Sequence, residues 1–332
     1  MQGTKDKIAM SSGIRRFVLK ILLYGIFFLG IIFLGLLLPP TSTKNILFSF
    51  GDKIILAERT KQINPGKPLI FWVGGSNVNF GIDSKLIYDS LGISCINTAV
   101  HGGLGLKFEV NNALRLARRD DIVVLMPEYE NFWDFNNEMA DGQAELLHTL
   151  IDVYPNGYNM IEKDQWRHVM MYLPRYLHDK YIQYLPGNYR HRYEKDYGVY
   201  VRHNFNAYGD AVLHLEKQPV PFIAMPKIGA PVNTSVLTFL AHKSELFKKK
   251  GVRFCILFPA YQSTSFNNNS EAIAQLYALM NAYKLPVYGS PSRYVFADSL
   301  FYDTYYHLNA EGRKIRSIFV QEDLRHALAE YK

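Results

Sequence analysis

Ser76, Asp303 and His307 are the residues whose types and settings could do chemistry together. Ser76 ends the run Val73-Gly74-Gly75-Ser76, directly after the apolar stretch Leu69-Ile70-Phe71-Trp72. Open α/β sheets place their ligands just past the C-terminal ends of the strands. Two glycines let the chain turn sharply there and let a substrate approach the backbone. Alone, such a turn is ordinary, because Gly and Ser are common where a strand hands over to a helix. Asp303 and His307 change the reading. They stand in Phe301-Tyr302-Asp303-Thr304-Tyr305-Tyr306-His307, just before a terminal helical run. A serine hydroxyl is a weak nucleophile until a base takes its proton. The base works best when a third group fixes its tautomer and stabilises the imidazolium. Ser76 as nucleophile, His307 as base and Asp303 as the orienting carboxylate are the expectation.

Positioning three such residues requires a sheet. Apolar runs at 68–73, 93–99, 121–126 and 252–258, and a shorter one at 286–288, read as strands. Helical patterns occupy 83–91, 106–119, 234–250, 270–283 and 309–331. Asp83 stands as an N-cap and Gly251 as a C-terminal cap. Near-continuous apolar strands alternating with helices indicate an α/β fold with a three-layer parallel sheet covered on both faces. From 131 to 231 the alternation breaks into a stretch rich in Tyr, His, Arg, Pro and Asn. It reads as an insertion, helical in places, that caps or walls a cleft, since a structureless loop of that length is implausible.

The N-terminus carries a different signal. Residues 17–38 are almost wholly apolar, interrupted only by Lys20 and a few glycines. A bilayer core needs about 20 such residues in a helix. Lys5, Lys7, Arg15 and Arg16 precede it, so the positive-inside rule puts residues 1–16 in the cytoplasm and the rest outside. A cleaved signal peptide fits less well, because the apolar stretch is long and no small-x-small site precedes Pro39-Pro40. The organisation expected is cytoplasmic 1–16, a single-pass transmembrane anchor over 17–38, a linker over 39–67, and an extracytoplasmic domain over 68–332. The net charge of +7 is spread along the chain rather than run together, which gives no nucleic-acid footprint. Cys95 and Cys255 each lie in a buried strand, and the sheet order separates them, so no disulfide is expected.

These residues resemble the SGNH (GDSL-like) hydrolase superfamily over roughly residues 68–325, the middle insertion apart. Gly74-Gly75-Ser76 looks like the family's first block, with Gly75 in place of its aspartate. Asn97-Thr98-Ala99-Val100-His101-Gly102-Gly103 looks like the second, with Gly102 matching the oxyanion glycine. Pro127-Glu128-Tyr129-Glu130-Asn131 stands where the third block supplies an asparagine, so the resemblance implies Asn131 as a further oxyanion donor. His307-Leu308-Asn309-Ala310-Glu311-Gly312 matches the second half of the last block, with the carboxylate one residue farther off, at Asp303. The resemblance implies a flavodoxin-like SGNH fold. The anchor, the Gly-Gly-Ser block and Tyr306-His307-Leu308-Asn309 narrow it to proteins that accompany membrane-bound O-acyltransferases, as in alginate O-acetylation or teichoic acid D-alanylation (the DltD-like proteins).

The function implied by this resemblance is acyl transfer, with acetyl as the first choice of group, from a membrane-bound O-acyltransferase partner to a cell-envelope polysaccharide through Ser76. The backbone N–H groups of Ser76 and Gly102, with Asn131, would hold the tetrahedral oxyanion, and losing one such donor costs about 3–4 kcal/mol. Asn77 and His101 are candidate substrate contacts. An esterase using the same site and a non-catalytic adaptor are the alternatives. The histidines of the insertion lack metal-ligand spacing, and no cofactor is indicated. Its tryptophans and tyrosines could stack on sugars but more often form such a segment's own core. Arg202 to Asp210 reads as a tight loop without an assigned role.

Overall fold

The computed structural model describes residues 12–39, 45–133, 138–185 and 198–330. The chain divides into two compact units. One comprises residues 1–41 and 173–194; the other comprises 42–172 and 195–332.

The larger unit opens with α2 (Ser49–Ile63), preceded in the chain by α1 (Ser12–Leu37) of the smaller unit. Then come β1 (Leu69–Val73), α3 (Ser76–Gly81), α4 (Ser84–Leu91), β2 (Ser94–Asn97), α5 (Leu106–Leu116) and β3 (Ile122–Leu125). Short helices α6 (Glu138–Asp141) and α7 (Ala144–Val153) lead into α8 (Gln165–Ile182). Then α9 (Thr234–Lys250), β4 (Arg253–Ile256), β5 (Tyr261–Gln262), α10 (Ser263–Ala282), β6 (Val295–Phe296) and α11 (Ala310–Glu330) follow.

Four parallel strands form the main sheet in the order β2-β1-β3-β4. Val287 adds a single parallel bridge to Ile256, so the fifth strand expected at 286–288 is one residue of pairing. Every residue of β1 and β3 is buried, which is why both read as unbroken apolar runs. The order reverses direction at β1 and β3, and the crevice beyond their C-terminal ends is the switch point where such sheets bind ligands. Cys95 on β2 and Cys255 on β4 are free and separated by two strands.

Local chemistry explains the helix boundaries. Asp83 accepts from the Leu86 N–H at 3.2 Å, and Gly92 closes α4 in the left-handed conformation. Asn233 caps α9, and Gly251 ends it at φ +74°. α10 begins at Ser263, seven residues earlier than the apolar periodicity indicates. The Asp298 carboxylate accepts from Ser263 Oγ at 2.7 Å and from the Thr264 N–H at 3.2 Å, which fixes the added turns.

Residues 39–67 are not a simple linker. α2 buries Phe50, Lys53, Ile54 and Ala57 in the core. Its apolar stripe is narrow and interrupted by charge, so a polar average conceals a packed face. Lys53 is fully enclosed. Its ammonium donates to Asn79 Oδ1 at 2.8 Å and to the Ala99 carbonyl, and burial pushes its pKa down to about 7.

The Arg202–Asp210 loop is a structural anchor. Asp210 is fully buried and accepts from Ser84 N at 2.9 Å, Ser84 Oγ at 2.7 Å, Asn97 Nδ2 at 3.0 Å and Arg313 Nη2 at 3.3 Å. The Tyr208 carbonyl accepts from the Asn97 N–H at 2.8 Å, and Ala211 donates to the Asn79 carbonyl at 2.9 Å. The loop thereby clamps β2, α3 and α4 to α11.

In the smaller unit, α1 has one described buried residue, Gly35. It is long and apolar enough to cross a membrane. The second half of α8 packs against its C-terminal turns. A Cβ on Gly35 would meet Leu177 Cδ2 at 2.9 Å and Tyr181 Cε2 at 3.0 Å, so both side chains pack directly on the α1 backbone.

Candidate active site

Ser76 is the first residue of α3, and the two glycines before it are dictated by crowding. Gly74 sits at φ +152°, and a Cβ there would lie 2.6 Å from the Met126 carbonyl. A Cβ on Gly75 would lie 2.6 Å from Gly102 Cα and 2.7 Å from Glu128 Oε1. The ends of β1, β2 and β3 therefore converge on this turn with room for backbone alone.

Asn77, beside Ser76, is held from behind. Arg316, wholly buried on α11, donates to the Asn77 carbonyl at 2.7 Å and to Asn77 Oδ1 at 3.1 Å. Burial pushes the guanidinium pKa down to about 10. The same side chain fills the space against Gly81, where a Cβ would collide with it.

Asp303 and His307 face each other across a hairpin. The Tyr302 N–H donates to the His307 carbonyl at 2.7 Å, and Asn309 N donates to the Leu300 carbonyl at 2.9 Å. Inside the turn, Thr304 Oγ1 accepts from the Tyr306 N–H at 3.2 Å and the His307 N–H at 3.1 Å. Asp303 Oδ1 lies 2.8 Å from His307 Nδ1. The longer spacing of carboxylate and imidazole is thus absorbed by the turn. The Tyr200 hydroxyl donates to Asp303 Oδ2 and lies 3.2 Å from His307 Nδ1. The imidazole stacks on Phe80, ring centres 4.6 Å apart and planes 15° apart. Burial raises the Asp303 carboxyl, but the bonds from His307 and Tyr200 outweigh it and hold the group below its ordinary value.

Ser76, His101, Glu128, Glu130, Met139, Tyr200, Tyr305, Tyr306 and His307 line one cavity of about 400 Å³. Met139 and Tyr200 come from the 131–231 stretch. Ser76 Oγ donates to Glu128 Oε1 at 3.4 Å; among the described residues it makes no hydrogen bond to His307. Glu128 Oε1 also accepts from the Asn77 N–H at 3.2 Å, and a Cβ on Gly102 would strike its other oxygen. The Glu128 carboxylate thus occupies the space between Ser76, Asn77 and Gly102.

Two expected site residues lie elsewhere. Asn131 is buried, and its amide donates to the Met139 carbonyl rather than lining the cavity. Chain direction after β3 explains this: a short turn over Tyr129–Phe132 carries Asn131 past the cavity and leaves Glu128 at its edge. Asn77 is fully buried and serves the Ser76 turn. His101 does line the cavity, with Nδ1 accepting from the Gly103 N–H at 3.0 Å.

Tyr306 forms the far wall. Its hydroxyl accepts from the Tyr129 N–H at 2.8 Å and donates to Glu130 Oε2. Burial pushes the Glu130 carboxyl up to about 7. Glu109, deeper in the core, is raised well above its ordinary value by burial and by Glu128. Trp133 is buried, as the core reading of the insertion's aromatics expects. Among the described residues, no group of three or more His, Cys, Asp and Glu is arranged to hold a metal ion.

No protein-family model and no curated protein matches the chain. The chemistry is therefore read from the site itself. His307 has Nδ1 committed to Asp303, which leaves Nε2 as the nitrogen that can exchange a proton. Ser76 supplies a hydroxyl to the same cavity. Glu128, Glu130 and the tyrosines supply further polar groups to the same cavity.

Proposed function

We propose that the chain carries out serine-dependent acyl chemistry, moving an acyl group onto a hydroxyl of an envelope polysaccharide. The observation that carries this reading is the Asp303–His307 pair at 2.8 Å, whose imidazole lines the cavity that also holds Ser76. In the first step Ser76 Oγ turns from Glu128 and gives its proton to His307 Nε2. The oxygen attacks the donor's carbonyl carbon, and the tetrahedral intermediate collapses to an acyl-serine ester. His307 returns the proton to the departing group. An acceptor hydroxyl then loses its proton to His307 and takes the acyl group, regenerating Ser76. Asp303 holds the tautomer and stabilises the imidazolium in both halves.

The SGNH resemblance and α1 extend the proposal. A membrane-bound O-acyltransferase would supply the acyl group, and the domain would lie outside a membrane crossed by α1, with the basic N-terminus in the cytoplasm. With water as acceptor the same steps give an esterase.

The Ser76–Glu128 hydrogen bond favours a second reading, a binding protein that keeps the fold and has lost the reaction. Mass spectrometry of the Ser76 peptide after exposure to p-nitrophenyl acetate separates the readings. An acetyl adduct at Ser76 that oligosaccharide discharges faster than water supports transfer. Equal discharge by water alone supports the esterase. No adduct on folded protein supports the binding protein.

A further inference from the structure

We propose that residues 173–185, the second half of α8 and the turn after it, form a second membrane contact, seated at the headgroup–acyl boundary beside the last turns of α1. The inference rests on reading α1 as membrane-crossing.

The helix length is consistent with it. α1 has 26 residues, which at 1.5 Å each is about 39 Å. The hydrocarbon core is about 30 Å thick, so about 9 Å of helix lies outside it. Arg15 and Arg16 stand in the first turns, where burial in hydrocarbon is costly. They claim most of that excess for the N-terminal end. The segment from Ile31 to Leu37, about 9 Å long, then lies within the opposite leaflet or at its boundary.

That segment is where α8 is bonded. The Tyr181 hydroxyl donates to the Ile31 carbonyl, Lys180 Nζ to the Leu36 carbonyl at 3.4 Å, and Gln183 Nε2 to the Pro39 carbonyl at 3.1 Å. Leu177 and Tyr181 pack on Gly35. A helix end in water finds hydrogen-bond partners in the solvent. One at the edge of a bilayer must find them in protein, and Lys180 of α8 supplies one at the Leu36 carbonyl, a cation where the helix dipole favours one.

Composition agrees. Tyr181 and Tyr184, half-buried, with the exposed Arg175 and His178, are amphipathic types that collect where headgroups meet acyl chains. Leu185 is 49% exposed, and the His178 side chain is 68% exposed. Both are surfaces that the leaflet would cover.

Full-length protein in lipid nanodiscs, with Cys95 and Cys255 replaced by Ala, tests this. Spin labels are placed singly through Leu185→Cys, His178→Cys, Phe27→Cys as the bilayer reference and Glu271→Cys as the aqueous reference. Collision with oxygen and with a water-soluble nickel chelate reads depth. The expected result is an oxygen-to-nickel ratio at 185 shifted to the Phe27 side of the Glu271 value, with 178 between the two references. Labels at 185 and 178 as open to nickel as that at 271, with 27 in lipid, would overturn the inference while leaving the anchor intact. A label at 27 open to nickel would overturn the anchor itself.

Discussion

The Ser76 hydroxyl lies 3.4 Å from Glu128 Oε1 and donates its hydrogen bond there. The same oxygen holds the Asn77 N–H, and in the proposed acyl transfer negative charge would develop on a carbonyl oxygen bound beside Ser76. Two like charges about 4 Å apart repel by as much as about 4 kcal/mol at an effective dielectric near 20. Glu128→Gln should therefore speed acylation of Ser76 by about tenfold or more, each factor of ten being about 1.4 kcal/mol. The check is the rate of p-nitrophenol release in a single turnover. A slower or unchanged rate would show that the carboxylate does not restrain the serine.

The Tyr200–Asp303–His307 chain gives a graded prediction. Asp303→Asn loses the tautomer control of His307, and such a change costs about 10⁴-fold in turnover in serine triads. Tyr200→Phe removes one donor to a charged acceptor, worth about 1.5–3 kcal/mol, and should cost about ten- to a hundredfold. Turnover measured across pH separates the two. The phenylalanine variant should keep a pH-dependent rate, and the asparagine variant should lose most of it. Equal losses in both would contradict the order.

Glu130 sets a pH dependence of stability. Its carboxyl is raised from 4.5 to about 7, chiefly by burial. Between these values the folded chain binds more protons than the unfolded chain, so stability is greatest below 4.5 and falls as pH rises toward 7. The displacement corresponds to about 3 kcal/mol. Glu130→Gln should flatten the fall in melting temperature between acid and neutral pH. An unchanged slope would mean that Glu130 does not set it.

Asp210→Ala should destabilise the larger unit by about 3 kcal/mol, because it takes the nearer of two carboxylates from the buried Arg313 guanidinium, leaving Asp83 at 3.9 Å. Urea unfolding reads this directly. A midpoint equal to wild type would mean the 202–210 loop is not the clamp that its bonds describe.

The sheet was legible because buried parallel strands write themselves as apolar runs, and β1, β3 and β4 fall within the expected segments. The sequence places Ser76, Asp303 and His307 beside element boundaries, and the fold puts Ser76 and His307 on one cavity with Asp303 against His307. α2 was less so, since charged residues around Phe50, Ile54 and Ala57 mask a narrow buried stripe. Tyr200 and Arg316 carry no local signal. Tyr200 meets Asp303 across 103 residues, and Arg316 meets Asn77 across 239. Glu128 did have a signal, its place directly beyond β3 at the switch point. The resemblance implies an asparagine there, and Asn131 lies three residues beyond Glu128.

Covalent labelling of the folded chain by a fluorophosphonate serine probe tests the central claim most directly, with Ser76→Ala and His307→Ala beside it. An activated serine predicts labelling at Ser76 that is abolished in the first variant and lost in the second. Wild-type protein that is folded and takes no label, or label that survives both substitutions, would contradict it.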